Sequence, residues 1–261
     1  MDRPIRVSVA LASYNGARYV EEQVRSILAE LGDDDEIVVV DDASTDDTVD
    51  VLRRIGDPRI RLFPRSENRG YVRTFEEALG CTRGEYILLS DQDDVWIPGR
   101  VGRLLKELQY RLITASNLEF LDSGDRPGWS FKASATGRWR RNLLTILSGT
   151  SGYYGCGMAM RRRALQLVTP FPPYLTESHD LWLAIAGNLA HSIGHIEEPT
   201  LRRRVHGDNA TPDRPRGLPA ILRARVMLLR SIITLRRRLR MLNRSVVAAA
   251  IAPASSSPAK P

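Results

Sequence analysis

Short apolar runs and amphipathic stretches alternate through the first hundred residues of this chain. VSVALAS at 7–13 is rich in β-branched residues and is closed by Asn15-Gly16, which predicts a buried strand. ARYVEEQVRSILAEL at 17–31 repeats Val20, Val24, Ile27, Leu28 and Leu31 on one helical face. EIVVVDD at 36–42 predicts a second strand, and STDDTVDVLRRI a helix capped by Ser44 or Thr45 with acids in its first turn. RIRLFP at 59–64, NRGYVRTFEEALGC at 68–81, EYILLSD at 85–91 and PGRVGRLLKELQ at 98–109 continue as strand, helix, strand and helix, the last opened by Pro98. This order predicts βαβ units and a mostly parallel α/β sheet flanked by helices.

Beyond residue 110 the rhythm is less regular. RLITASNLEFLD at 111–122 predicts one or two strands, and 123–150 is mixed, with Trp129 and Trp139. GCGMAMRRRAL at 155–165 reads as a strand entering a helix, and ESHDLWLAIAGNLA at 177–190 as a helix with Asp180 in its first turn. LRRRVHGDNAT at 201–211 is polar and irregular. Residues 218–252 form one long amphipathic helix or two joined ones, and 253–261 is expected to be disordered. The domain reading is a catalytic unit at 1–217, a basic helical extension at 218–252 and the tail.

Charge sharpens that division. Residues 200–261 hold thirteen Arg and one Lys against two Asp, a balance of +12, while the remainder carries −5 of the net +7. Such a tail meets either nucleic acid or anionic lipid. Leu222, Val226, Leu229 and Ile233 form an apolar stripe amid Arg223, Arg225, Arg230, Arg236, Arg237, Arg238 and Arg240. That is the pattern of an interfacial helix, so an anionic membrane surface is the expected partner, not nucleic acid. Packing on the catalytic unit, or on a second copy in a homodimer, is the alternative. The two cysteines form neither a disulfide framework nor a metal pattern, which suits a reducing, cytoplasmic setting. The start of the chain does not read as a signal peptide. No window approaches the ~20 apolar residues of a membrane-spanning helix. The expected location is cytoplasmic, peripheral on the inner face of the plasma membrane.

In open α/β sheets ligands sit beyond the carboxyl ends of the strands. Three polar clusters fall there: Ser13-Tyr14-Asn15, Asp41-Asp42, and Asp91, Asp93 and Asp94. Two carboxylates ~5 Å apart repel by about 3 kcal/mol at an effective dielectric of 20. A shared proton or a divalent cation relieves this. Mg²⁺ and Mn²⁺ favour oxygen ligands, and Mg²⁺ completes its shell with substrate phosphates. An Asp-x-Asp at a strand end therefore proposes a metal-chelated diphosphate. Asp42 is then a candidate acceptor for a base edge or ribose, with Tyr14 and Asn15 lining the base pocket. Arg69 reads either as a phosphate or base contact or as part of a turn. Neither a dinucleotide-binding glycine fingerprint nor a P-loop is present.

The segments VSVALASYNGARYVEEQVRSIL, EIVVVDDASTDDT, SENRGYVRTFEEAL, GEYILLSDQDDVW, GCGMAMRR, SHDLWLA and RRRVHGDNAT together resemble the family 2 glycosyltransferases with the GT-A fold, over about residues 5–211. DQDDVW, SHDLW and VHGDN are most similar to the branch called rhamnosyltransferase-like. The resemblance implies a nucleotide-diphosphate-sugar donor, a glycan or lipid-linked acceptor, and Mg²⁺ or Mn²⁺. By motif position it implies Asp42 at the nucleobase, Asp91 by the ribose, Asp93 and His206 at the metal, Arg204 near the diphosphate and Asp180 as general base. The family often has Tyr-Arg-Gln-His where this chain has Arg203-Arg204-Val205-His206. A base on a separate element from the metal suits inversion at a sugar carbon, and a helix start is expected to keep Asp180 ionised. The competing readings are a sugar-phosphate nucleotidyltransferase, whose glycine- and arginine-rich loop SYNGARY lacks, and a non-catalytic binding module.

Overall fold

The computed structural model describes residues 4–121, 130–206 and 217–251. The tail at 253–261, Trp129 and residues 207–211 of the polar segment lie outside them. The strands are β1 (Val7–Ser13), β2 (Glu36–Asp41), β3 (Ile60–Pro64), β4 (Tyr86–Ser90), β5 (Val95–Trp96), β6 (Ile113–Phe120), β7 (Met158–Arg161) and β8 (Ile193–Arg203). The helices are α1 (Val20–Leu28), α2 (Thr48–Ile55), α3 (Tyr71–Cys81), α4 (Arg100–Leu108), α5 (Trp139–Ser148), α6 (Leu165–Val168), α7 (His179–Leu189) and α8 (Leu218–Ile251). The strands make one sheet in the order β3-β2-β1-β4-β7-β6-β8-β5. Pairings β1–β2, β1–β4, β2–β3 and β6–β8 are parallel, and β7 and β5 enter antiparallel.

Alternation along the strands divides the core. Val7, Val9 and Leu11 of β1 face α1, α2 and α4, packing with Val24, Leu52 and Leu104. Ala10 faces the opposite side, where Phe75 and Leu79 of α3 meet Leu183 and Ile185 of α7. Burial on both faces explains why β1 and β2 read as continuous apolar runs. Helix α8 is a single helix, and Met227, Leu228, Ile232 and Leu235 on its inner face belong to the same cluster as α3 and α7. Trp96 and Trp182 are buried core residues, the latter donating its indole N–H to the Val168 carbonyl at 3.0 Å.

Three local expectations change. Helix α2 starts at Thr48, not after Ser44 or Thr45. The Ser44 hydroxyl and backbone N–H go to the Asp41 carboxylate, and the Thr45 N–H goes to Asn15 Oδ1, so both residues serve the loop instead. Helix α3 starts at Tyr71, not at 68, because the N–H groups of Arg69 and Gly70 bond the Asp42 carboxylate, with Gly70 at φ 81°. The long strand β8 was not legible: Glu197-Glu198-Pro199 interrupts its alternation, and its pairing with β6 shifts register there. Asn117 repairs that irregularity by donating its amide N–H groups to the Glu197 and Phe131 carbonyls.

Candidate active site

The parallel register sets the carboxyl ends of β1, β2 and β4 along one edge, with Ser13 opposite Asp41 and Leu11 opposite Ser90. A cavity of about 870 Å³ opens there, within the size range that holds a small-molecule ligand. Its wall includes Ser13, Tyr14, Asp42, Asp91, Asp93 and Asp180. Four segments that are far apart in the chain thus converge on one space.

The β1–β2 side is internally satisfied. Asp41 takes the Ser13 hydroxyl at 2.8 Å and the Ser44 hydroxyl at 2.6 Å. Asp42 accepts from Arg65 at 2.9 Å and from the N–H groups of Arg69 and Gly70 at 2.9 and 2.8 Å. The Tyr14 backbone is clasped by the Gln92 amide, which accepts from its N–H at 2.8 Å and donates to its carbonyl at 2.9 Å. A Cβ on Gly16 would collide with that amide, so the close approach needs glycine there.

Beyond β4 the balance is different. Burial first, then Asp93, pushes Asp91 up to about 6. Burial first, then Asp91 and Asp93, pushes Asp94 well above the carboxylate range, and Asp94 Oδ2 has no hydrogen-bond partner among the described residues. Asp91, Asp94 and Cys156 present ligand atoms within 4.8 Å of one another. Burial also raises the Cys156 thiol, and a protonated thiol is a poor ligand for hard cations. The second carboxylate of the motif faces another way: Asp93 Oδ2 lies 2.8 Å from His206 Nε2. An oxygen and an imidazole nitrogen converging beside surplus buried acid is a donor set that fits Mn²⁺ or Mg²⁺.

Asp180 lies in the first turn of α7 and lines the cavity, its Oδ1 accepting from the Leu181 N–H at 2.7 Å. It was expected to be held ionised by the helix start. Burial outweighs that hydrogen bond, and its pKa is pushed up to about 7. His179 beside it is stacked on Phe75 at 4.3 Å between centroids, with Tyr71 edge-on at 5.6 Å. Burial lowers it to about 3, so the ring is neutral, and neither nitrogen has a hydrogen-bond partner among the described residues.

Not every sequence candidate faces the cavity. The Asn15 side chain braces the 44–45 loop by accepting from Thr45. Arg69 offers Asp42 its backbone N–H, while its guanidinium extends toward Glu67 at 4.0 Å. Arg204 turns to α1, bonding Glu22 at 2.7 Å and lying over the Tyr19 ring, against which His206 also stacks. Its neighbour Arg203 lines the cavity, lies over Tyr154 at 5.2 Å and lowers the pKa values of Asp91 and Asp94. Sequence inspection missed Arg203, Arg65 and the Gln92 clasp. Strand alternation through 201–203 would have separated Arg203 from Arg202 had β8 been recognised.

Comparison with known proteins gives a consistent picture. The family described as Glycosyl transferase family 2 matches residues 8–168. An uncharacterized glycosyltransferase of Nostoc sp. is 29% identical over 219 residues, covering 78% of this chain and 66% of that protein. The succinoglycan biosynthesis protein ExoO of Rhizobium meliloti is 36% identical over 106 residues, 41% of this chain and 30% of its own length. Escherichia coli WfaP, a UDP-Glc:alpha-D-GlcNAc-diphosphoundecaprenol beta-1,3-glucosyltransferase, is 34% identical over 95 residues, 36% of this chain and 38% of its own. The match thus spans 30% to 66% of these three proteins. Among solved structures, S. aureus TarS with UDP-GlcNAc superposes with a TM-score of 0.67 at 18% identity, covering 85% of this chain and 66% of TarS. The mannosyltransferase PcManGT of Pyrobaculum calidifontis, with GDP-Man and Mn²⁺, gives 0.57 at 20% identity over 97% of this chain and 77% of its own. At these identities the likeness speaks to the fold, which is GT-A.

Proposed function

The chain belongs to glycosyl transferase family 2, and from that premise we propose that it is an inverting transferase. It would move a hexosyl or deoxyhexosyl group from a nucleoside-diphosphate sugar to a glycan or lipid-linked acceptor in cell-envelope polysaccharide synthesis. One observation carries this reading: Asp42, the Asp91–Asp93 pair and Asp180 line the same cavity from three separate elements. The donors in the TarS and PcManGT structures, and the succinoglycan role of ExoO, support it. The similarity of DQDDVW, SHDLW and VHGDN to the rhamnosyltransferase-like branch supports a deoxyhexosyl donor.

The nucleoside lies against Tyr14 and Asp42, whose anchored carboxylate accepts from a base N–H. Asp91 sits by the ribose, and Arg203 faces the diphosphate. Asp93 and His206 would hold the Mg²⁺ or Mn²⁺, which supplies Lewis-acid neutralisation of the leaving diphosphate. Asp180 takes the proton of the acceptor hydroxyl as the acceptor oxygen bonds the anomeric carbon. The carbon–oxygen bond to the diphosphate breaks in the same displacement, and its electron pair leaves with the nucleoside diphosphate. A base near 7 is matched to neutral pH, where it is both available and strong enough.

The test is calorimetric titration with UDP, GDP and dTDP, with and without Mn²⁺, followed by a transfer screen over a donor panel. At least one nucleotide binds, and Mn²⁺ tightens it about tenfold or more. Asp93→Asn removes the Mn²⁺ dependence. A chain that binds none of the nucleotides is no transferase of this kind.

A further inference from the structure

A second cavity, of about 400 Å³, runs between α8 and the segment before α7. It shares Thr176, Glu177 and Arg223 with the larger one, so the two are adjacent. Its own wall is mainly Leu222, Val226 and Met227 with the Tyr174 ring, closed at the far end by Arg230. Arg230 lies 4.3 Å over the Tyr174 ring, and the Tyr174 hydroxyl is fixed to Thr234 at 2.8 Å. Arg223 and Arg230 are seven residues apart, two helical turns on one face.

The groove also opens onto an exposed apolar stripe. Leu222 is 66% exposed, Val226 48%, Leu229 50% and Ile233 52%. Arg236, Arg237 and Arg240 continue that face, and the sequence of α8 contains no acid over its whole length. Arg225 and Arg238 differ: their guanidiniums bond backbone carbonyls of Ser148 and Leu167, tying the helix to the domain. Arginines at the rim, hydrocarbon between them and a wall shared with the larger cavity match a ligand that is anionic at one end and apolar along its length. Among described residues Glu177 is the acid in this groove, and it stands at the junction with the main cavity, where sugar hydroxyls would pass.

We propose that this groove is the acceptor's lipid-phosphate subsite. The phosphate of a lipid-linked acceptor meets Arg223 and Arg230, the first carbons of its chain lie on Leu222, Val226 and Met227, and its sugar enters the cavity that holds Asp180. The stripe beyond carries the rest of the chain back toward the bilayer. The assignment rests on the transferase reading above and selects the lipid-linked over the free glycan acceptor.

The test titrates the full chain with decyl phosphate, below its micelle-forming concentration, and with inorganic phosphate. Decyl phosphate binds saturably and at least about tenfold more tightly than inorganic phosphate. Val226→Gln weakens decyl phosphate about tenfold and leaves inorganic phosphate unmoved, whereas Arg230→Gln weakens both. Equal affinity for the two ligands, or decyl phosphate binding that neither variant shifts, overturns the assignment. So does displacement of decyl phosphate by vesicles of phosphatidylcholine and phosphatidylglycerol, which would mark a headgroup surface instead of a substrate groove. UDP, GDP and dTDP titrations of the same samples keep the two proposals apart. Lost groove binding with intact nucleotide binding sinks this one alone, and the reverse sinks the transferase reading.

Discussion

The two sides of the cavity are built on opposite electrostatic terms. On the β1–β2 side, Asp41 and Asp42 find hydroxyls, a guanidinium and backbone N–H groups within the protein, and these hydrogen bonds close a finished network. On the side formed by the β4 exit and the start of α7, Asp94 and His179 are buried and Asp91 and Asp180 half-buried, all with few partners, and each is pushed toward its neutral form. A satisfied network rigidifies and an unsatisfied one costs stability. The protein thus completes the first side itself and leaves the second to be completed by what binds. In the transferase proposed above, the first side recognises and the second side does chemistry.

Two substitutions test that contrast most severely. Asp180→Asn keeps the shape of the side chain and removes its basicity, so transfer should fall by about 10²–10⁴-fold in kcat. Nucleotide affinity should hold. A variant that kept full kcat would remove Asp180 from the chemistry. Asp42→Ala should act the other way. It takes one partner from the Arg65 guanidinium, whose side chain is only 9% exposed and which keeps Glu77, Thr74 and the Arg73 carbonyl, and it takes the carboxylate from the N–H groups of Arg69 and Gly70. Losing these hydrogen bonds costs about 1–3 kcal/mol, read as a drop in denaturant midpoint without any ligand present. Unchanged stability in Asp42→Ala would mean that the β1–β2 side is not the self-supporting half.

Why one side was easier to read in the sequence follows from the same difference. The β1–α3 half announces itself because fully buried parallel strands are continuous apolar runs, and their polar ends stand out against them. Asp42, Asp91 and Asp93 were legible for that reason. The partners of those acids were not. Arg65 and Gln92 act across 23 and 78 residues of chain, and no spacing encodes such a pairing. Strand β8 was hidden because Glu197-Glu198-Pro199 breaks its period, and with it went the distinction between cavity-facing Arg203 and exposed Arg202. The protonation state of Asp180 was misread for a related reason: a helix start is visible in sequence, whereas the depth at which the helix starts is not.

The pH dependence sharpens the contrast without a mutation at the recognition side. Burial raises Asp180 to about 7, with Asp91 adding to the shift and Arg203 opposing it. A general base must be ionised, so kcat/KM should rise about tenfold per pH unit below 7 and level off above it. Stability should run in the opposite direction. Between the ordinary aspartate value and 7 the folded state binds the proton that the unfolded state has released, so unfolding free energy falls as pH rises through this window. Asp180→Asn abolishes that fall, and its melting temperature should therefore gain on the wild type from pH 5 to pH 8. A gap that stays constant with pH would assign the acid limb to another group.

The smallest effect is the most discriminating. His179 is neutral, stacked on Phe75, and has both nitrogens unpartnered among the described residues. Replacing an unsatisfied buried polar group by an apolar one of similar shape is close to neutral or stabilising. His179→Phe should thus change unfolding free energy by less than about 1 kcal/mol. If a substrate hydroxyl completes one of those nitrogens, the same variant raises a KM about tenfold while kcat follows Asp180 unchanged. Stability and affinity then separate at a single residue. A loss of 3 kcal/mol or more on thermal unfolding would show that the fold itself uses the imidazole, and the division between a finished side and an open one would fail at the residue next to the base.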